Sequence, residues 1–121
     1  METQSAYDTF LASIHRGARP PGDVYLAALW LDGRGDWNGA HDLLQDHDVT
    51  DVKSARVHAY LHRKEGDLRN AAYWYRHAGV TEVTGPLDEE WATMVHDFLQ
   101  ENADEPQRKP GLARGERPST E

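Results

Sequence analysis

The chain has 121 residues, the length of one domain, and 38% of them are hydrophobic. Thirteen basic residues face 21 acidic ones, and the resulting net charge of -8 excludes broad binding to nucleic acid. The absence of cysteine excludes disulfides, thiolate metal sites and cysteine nucleophiles. The sequence shows no apolar run as long as a membrane span and no secretory signal at its first residues. We therefore expect a cytoplasmic protein without membrane association.

Apolar residues recur at helical spacing along most of the chain, whereas the alternation typical of strands is scarce. This pattern predicts an all-α fold of about six helices joined by short turns. Asp23 is expected to cap the second helix and Gly79 to end the fifth. The predicted helices cover about residues 5–16, 23–33, 36–47, 50–65, 67–79 and 88–99.

The composition changes near the end of the chain. The last eighteen residues contain three prolines and two glycines, and Leu112 is their only larger aliphatic residue. Such a segment buries too little apolar surface to offset its loss of conformational entropy. We therefore predict a helical-repeat domain over residues 1–103 and a disordered C-terminal tail over residues 104–121.

An internal repeat is the strongest pattern in the sequence. The segment Gly35–Ala40 matches Gly66–Ala71 at an offset of 31 residues. The match extends backwards to pair Ala28 with Ala59, and forwards to pair Leu44 with Tyr75. Each unit reads as a helix, a Gly-Asp turn and a second helix, so the repeat predicts two helical hairpins. The large side chains expected to fill the space between hairpins are Trp37, Leu44, Leu68 and Tyr75.

These residues resemble the tetratricopeptide family, including its Sel1-like branch. The small residue of the first helix, the glycine-polar turn and the alanine five positions after the glycine are all present in both units. The departures are a spacing of 31 residues and His47 at a position that is usually small. The resemblance implies stacked antiparallel hairpins, a short α-solenoid, and a non-catalytic adaptor that binds a protein or peptide. The segments His58–Arg63 and Tyr73–Arg76 also resemble an uncharacterised family of small bacterial proteins, which implies no function.

The resemblance further implies that the exposed face of each first helix lines a groove for extended peptides. On the fourth helix this face is a basic stripe around one aromatic residue, and a solvated helix face is the alternative interpretation. As a peptide site it would bind an acidic or C-terminal segment of a partner. The stripe consists of Lys53, Arg56, Tyr60, Arg63 and Lys64.

Histidines suggest a second function. His58 and His62 lie four residues apart and therefore on one face of the fourth helix. Such a pair suits zinc or another divalent transition metal, and His41 on the third helix is the candidate third ligand. The alternatives are a small metal- or ligand-binding protein, enzymatic or not, and imidazoles that only pack on aromatic rings.

Signatures of catalysis are missing from the sequence: there is no nucleophile elbow, no phosphate-binding glycine loop and no dinucleotide fingerprint. We therefore favour a protein that is not an enzyme, with no cofactor. Consecutive aromatic residues in Tyr73–Tyr75 cannot all face one core. Tyr75 is expected inside, and an exposed Trp74 would mark a protein contact, so a homodimer through this aromatic face is a third alternative.

Overall fold

The structure is a computed structural model and describes residues 5–46 and 51–104. These ranges contain six α-helices and no strand, which confirms the predicted all-α class. None of the six combines the length and the apolar character of a membrane span. The helices are α1 (Ala6–Arg16), α2 (Val24–Gly33), α3 (Trp37–Gln45), α4 (Val52–Lys64), α5 (Leu68–Ala78) and α6 (Leu87–Asp104).

The helix boundaries follow from local chemistry. The carboxylate of Asp23 accepts the backbone amides of Tyr25 and Leu26, as predicted, and Asp51 caps α4 in the same way. Gly79 ends α5 with a φ of 73°, which confirms its predicted role. The sixth helix differs from the prediction, because it continues beyond Leu99 to Asp104. The remainder of the predicted tail, residues 105–121, lies outside the described residues.

The two Gly-Asp corners have the same backbone geometry. Gly35 and Gly66 adopt φ angles of 86° and 91°, a left-handed region that favours glycine. In each corner the aspartate amide donates to the carbonyl five residues earlier at 2.9 Å. Asp36 and Asp67 then cap the following helix by accepting the amide three residues further on. The two corners, 31 residues apart in sequence, therefore reverse the chain in the same manner.

The core lies between α6 and the faces of α1, α2 and α4. Met94, Val95 and Phe98 of α6 are almost wholly buried there, beside Phe10 and Ile14 of α1. The closest helix pairings are α4 with α5 and α2 with α3. The alanines at the matched positions are all buried, which allows these helices to approach closely. They are Ala28, Ala40, Ala59 and Ala71.

Leu68 differs from its expected role. Its side chain is 66% exposed on the outer side of α5 and does not fill the space between hairpins. Leu44 and Tyr75 are buried as expected, and Trp37 is half-buried. The hairpin pattern alone placed Leu68 inside, but its side chain lines an open cavity with Arg63, Glu82 and Val83 at the first turn of α5.

Candidate functional site

The basic face of α4 lies against α6. We name Lys53, Arg56, Tyr60, Arg63 and Lys64 the α4 stripe. Three of its cations pair with carboxylates of α6. Along these three pairs the residue numbers on α6 rise while those on α4 fall, so the two helices run antiparallel. The pairs are Arg63–Glu90 at 2.6 Å, Arg56–Asp97 at 3.0 Å and Lys53–Glu101 at 2.8 Å.

The other two members of the α4 stripe converge on one buried carboxylate of α2. Asp32 is only 3% exposed, and it accepts the Tyr60 hydroxyl at 2.7 Å and the Lys64 ammonium at 2.9 Å. Burial raises the pKa of the Tyr60 hydroxyl, and the negative charge of Asp32 raises it further. Tyr60 is therefore a permanent hydrogen-bond donor that links α4 to α2.

Glu90 forms a second buried polar centre next to this one. Its carboxylate accepts Arg63 at 2.6 Å and the Tyr75 hydroxyl at 2.5 Å. Arg63 also donates to the carbonyl of Gly85 in the loop before α6. Burial, followed by the hydrogen bond to Glu90, raises the pKa of Tyr75. The roles of Asp32 and Glu90 were not predicted from sequence, although the seven-residue spacing from Glu90 to Asp97 equals that from Arg56 to Arg63.

A second stripe of the same spacing lies on the outer face of α5. An arginine is followed by a tyrosine four residues later and by an arginine three residues after that, as in the α4 stripe. Here all three side chains are exposed, and the exposed fraction of the tyrosine is 49%. Neither arginine has an ion-pair partner in the described part of the chain. We name this set the α5 stripe: Arg69, Tyr73 and Arg76.

Three histidines meet between α3 and α4. The ring centroids of His41 and His58 lie 5.2 Å apart, those of His41 and His62 5.1 Å, and those of His58 and His62 6.0 Å. His58 is fully buried and His62 is 7% exposed, while His41 is half-buried. The structure thus brings together all three residues that the sequence singled out as metal ligands.

His58 occupies an unusual environment. Neither ring nitrogen has a hydrogen-bond partner among the described residues, and the ring stacks on Trp74 with centroids 4.3 Å apart. Burial, followed by the imidazoles of His41 and His62, lowers the pKa of His58 to about 4. The carbonyl of Ser54 raises that pKa, but it makes no hydrogen bond of normal geometry to the ring. His58 is consequently neutral at physiological pH.

His62 is oriented by a carboxylate. Its Nδ1 lies 2.7 Å from an oxygen of Glu65, and because a carboxylate only accepts, this nitrogen carries the hydrogen. The neutral ring then has its lone pair on Nε2. His41 stacks on Trp37 at 4.9 Å, and burial, followed by His62, lowers the pKa of His41. Sequence reasoning missed the roles of Glu65 and Trp74, although Glu65 follows His62 at a helical i, i+3 spacing.

A second group of metal-ligating atoms overlaps this cluster. One atom each from His62, Glu65 and Asp67 lie within 4.8 Å of one another. Both carboxylates are exposed, and Asp67 already accepts the backbone amide of Asn70 as the cap of α5. No other group of three possible ligand atoms in residues 5–46 and 51–104 is as close.

Comparison with protein-family models, with curated proteins and with solved structures finds no match to this chain. Its function is therefore inferred from its own side chains. Two features carry chemistry: an exposed cationic and aromatic stripe on α5, and a cluster of three imidazoles that stack on or meet the indole rings of Trp37 and Trp74.

Proposed function

We propose that this chain is a non-catalytic interaction module of tetratricopeptide-like type, and that its α5 stripe binds an acidic helical segment of a partner protein. One observation inside the chain carries the proposal. The α4 stripe has the same arginine-tyrosine-arginine spacing, and it packs against α6, whose carboxylates lie seven residues apart. Equal spacing and equal charge favour the same class of segment on the α5 stripe.

The partner segment follows from this internal template. Arg69 and Arg76 lie two helical turns apart, so they match carboxylates at positions i and i+7 of a helix. Tyr73 lies between them and offers an amphipathic contact surface. Tyr73 is also one of the three large apolar side chains exposed in the described ranges.

The matched Gly-Asp corners support the tetratricopeptide-like part of the proposal. Two turns of equal geometry join α2 to α3 and α4 to α5, the two helix pairs in closest contact. In such arrays each hairpin buries its apolar face on its neighbour, and the exposed helix faces are left for partners. The α5 stripe is an exposed face of this kind.

The α4 stripe was the predicted peptide site, and that assignment stays a prediction. Its side chains now have internal partners on α6 and α2, so a peptide would have to displace an acidic helix already in place. That helix also places Met94, Val95 and Phe98 in the core. These contacts make the α5 stripe the better candidate for an external partner.

The test uses α6 itself as the probe. A fluorescent synthetic peptide with the sequence of residues 87–104 is titrated into the full chain, and binding is followed by fluorescence anisotropy. A second peptide carries Glu90→Gln and Asp97→Asn. We expect saturable binding of the first peptide and at least about tenfold weaker binding of the second, because charge-assisted hydrogen bonds to arginine are lost.

A matched pair of protein variants locates the site. Arg69→Glu with Arg76→Glu reverses the α5 stripe, whereas Arg16→Glu with Arg19→Glu makes the same change in net charge on exposed residues elsewhere. Only the first variant should lose binding. The proposal is wrong if wild-type protein does not bind the peptide, or if both variants weaken binding equally. Concentration-dependent dimerisation that only the first variant abolishes would replace the partner protein with a second copy of this chain.

A further inference from the structure

We infer that His41, His58 and His62 form a binding site for one divalent transition-metal ion. The inference does not rest on the proposed docking surface, because the three histidines belong to α3 and α4 and none is part of the α5 stripe. Nitrogen ligands select Zn²⁺, Cu²⁺ or Ni²⁺ over Mg²⁺ and Ca²⁺, which prefer oxygen.

The separations of the three rings fit a common ion. With metal–nitrogen bonds of about 2.0–2.1 Å and tetrahedral angles, the centroids of two coordinating imidazoles stand about 5 Å apart. The observed separations are 5.1, 5.2 and 6.0 Å. The two separations that involve His41 match this value, and the separation of His58 from His62 is about 1 Å longer.

The two ring nitrogens of His58 have no hydrogen-bond partner among the described residues, which favours a ligand at this ring. A buried imidazole with no hydrogen bond is costly, and buried polar groups without partners in proteins commonly face a water or an ion. Both nitrogens of His58 and the hydroxyl of Ser54, one turn earlier on the same face of α4, share this condition. Coordination of an ion by one nitrogen would satisfy the most deeply buried member of the cluster.

The environment of His62 matches that of a metal ligand. Histidines that bind metals donate their second ring nitrogen to a carboxylate or carbonyl, which fixes the ring and makes the ligating nitrogen more basic. His62 makes this contact with Glu65 at 2.7 Å. The remaining nitrogen, Nε2, is free to coordinate. Three neutral imidazoles leave a fourth position of the ion open to water or a small ligand.

The rings have to turn before all three nitrogens converge. In the structure the three closest ligand atoms belong to His62, Glu65 and Asp67, not to the three histidines. Rotation about the Cβ–Cγ bond, a broad torsion in histidine, moves the nitrogens while the ring centroids stay nearly in place. A half-turn of His58 keeps its ring parallel to Trp74, and His62 keeps the orientation that its bond to Glu65 fixes. The exposed set is the weaker alternative, because Glu65 is already bonded to His62 and Asp67 to Asn70.

The experiment uses untagged full-length protein freed of metal by a chelator. Zn²⁺ is titrated by calorimetry, and Cu²⁺ is added for electron paramagnetic resonance, which counts coordinated nitrogens. The variants are His41→Gln, His62→Gln, and Glu65→Gln with Asp67→Asn. The control is His15→Gln, an exposed histidine in the last turn of α1.

We expect one ion per chain bound at micromolar affinity or tighter, with three nitrogen ligands. His41→Gln and His62→Gln should each weaken binding by at least about tenfold, and His15→Gln should leave it unchanged. Replacement of His58 by glutamine would also remove the ring that stacks on Trp74, so the nitrogen count on the unsubstituted protein reports on His58. The inference is overturned by the absence of binding, by fewer than three nitrogens, or by a loss confined to the Glu65→Gln, Asp67→Asn variant.

Discussion

Trp74 covers His58: the indole and imidazole rings stack with their centroids 4.3 Å apart and their planes 13° apart. The indole belongs to α5 and the imidazole to α4, so this contact closes the hairpin over the histidine cluster. It explains why His58 is completely buried although its face of α4 is polar. The stacked indole also removes water from the imidazole, which favours the neutral ring.

Protonation of His58 should make stability depend on pH. In metal-free protein the unfolded chain binds this proton near pH 6.5 and the folded chain near pH 4, so above pH 6.5 the group has no effect. As the pH falls from 6.5 to 4, the unfolded state binds a proton that the folded state does not bind, and the free energy of unfolding decreases. The loss should reach about 3 kcal/mol at pH 4.

This loss is measured by urea unfolding at several pH values in the presence of a chelator. His41 and His62 face the ring from α3 and α4, so the effect of His58 has to be separated from that of its neighbours. The comparison is therefore with His58→Phe, which keeps an aromatic ring against Trp74. A steep decrease in stability below pH 6.5 that persists unchanged in His58→Phe would contradict the assignment.

Local features of this fold were predictable from sequence, because the interactions that set them span only a few residues. Asp23 as an N-cap and Gly79 as a C-terminal glycine depend on the adjacent turn alone. The proximity of His58 and His62 required only the helical period. The C-terminal extension of α6 was missed because its last turns carry few apolar residues, while Lys53 pairs there with Glu101.

The partners of the α4 stripe were not predictable from local pattern. Asp32 lies 28 residues before Tyr60, and Glu90 lies 27 residues after Arg63, so only the packing of α2 and α6 brings them together. The stripe was predicted to bind carboxylates of a partner peptide, and in the structure it pairs with carboxylates of α6 and α2. What the sequence did not reveal is that the same chain supplies them.

The three ion pairs between α4 and α6 should differ in their effect on stability. Arg63 and Glu90 have side chains that are 13% and 4% exposed, whereas Lys53 and Glu101 are 36% and 47% exposed. Arg63→Met leaves a buried carboxylate without its cation and should destabilise the fold by about 3 kcal/mol or more. Glu101→Gln should change stability by about 0–1 kcal/mol, because water screens the pair. Denaturant unfolding compares the two, and equal effects would contradict the inferred difference in burial.

The two corners should respond alike to loss of their glycines. Gly35→Ala and Gly66→Ala place a side chain at φ angles of 86° and 91°, and each should cost about 1–2 kcal/mol of unfolding free energy. No neighbouring atom lies within 4 Å of either new methyl group, so the cost is conformational and not steric. Gly22→Ala is the control, since that position has equal space and no positive φ. Unequal losses at Gly35 and Gly66 would argue against equivalent corners.

The close approach of α4 and α5 should make Ala71 intolerant of a larger side chain. Ala71 is 2% exposed and packs with Ala59 and Tyr75, so Ala71→Leu forces extra methyl groups into a filled space. Overpacking of this kind costs about 1–3 kcal/mol, and it should broaden the thermal transition because α5 can no longer seat against α4. Ala103→Leu, on an exposed position near the end of α6, is the control and should melt like the wild type. A cooperative and unshifted melt for Ala71→Leu would show that the small residues do not set the helix spacing, and would remove the physical basis of the hairpin pairing.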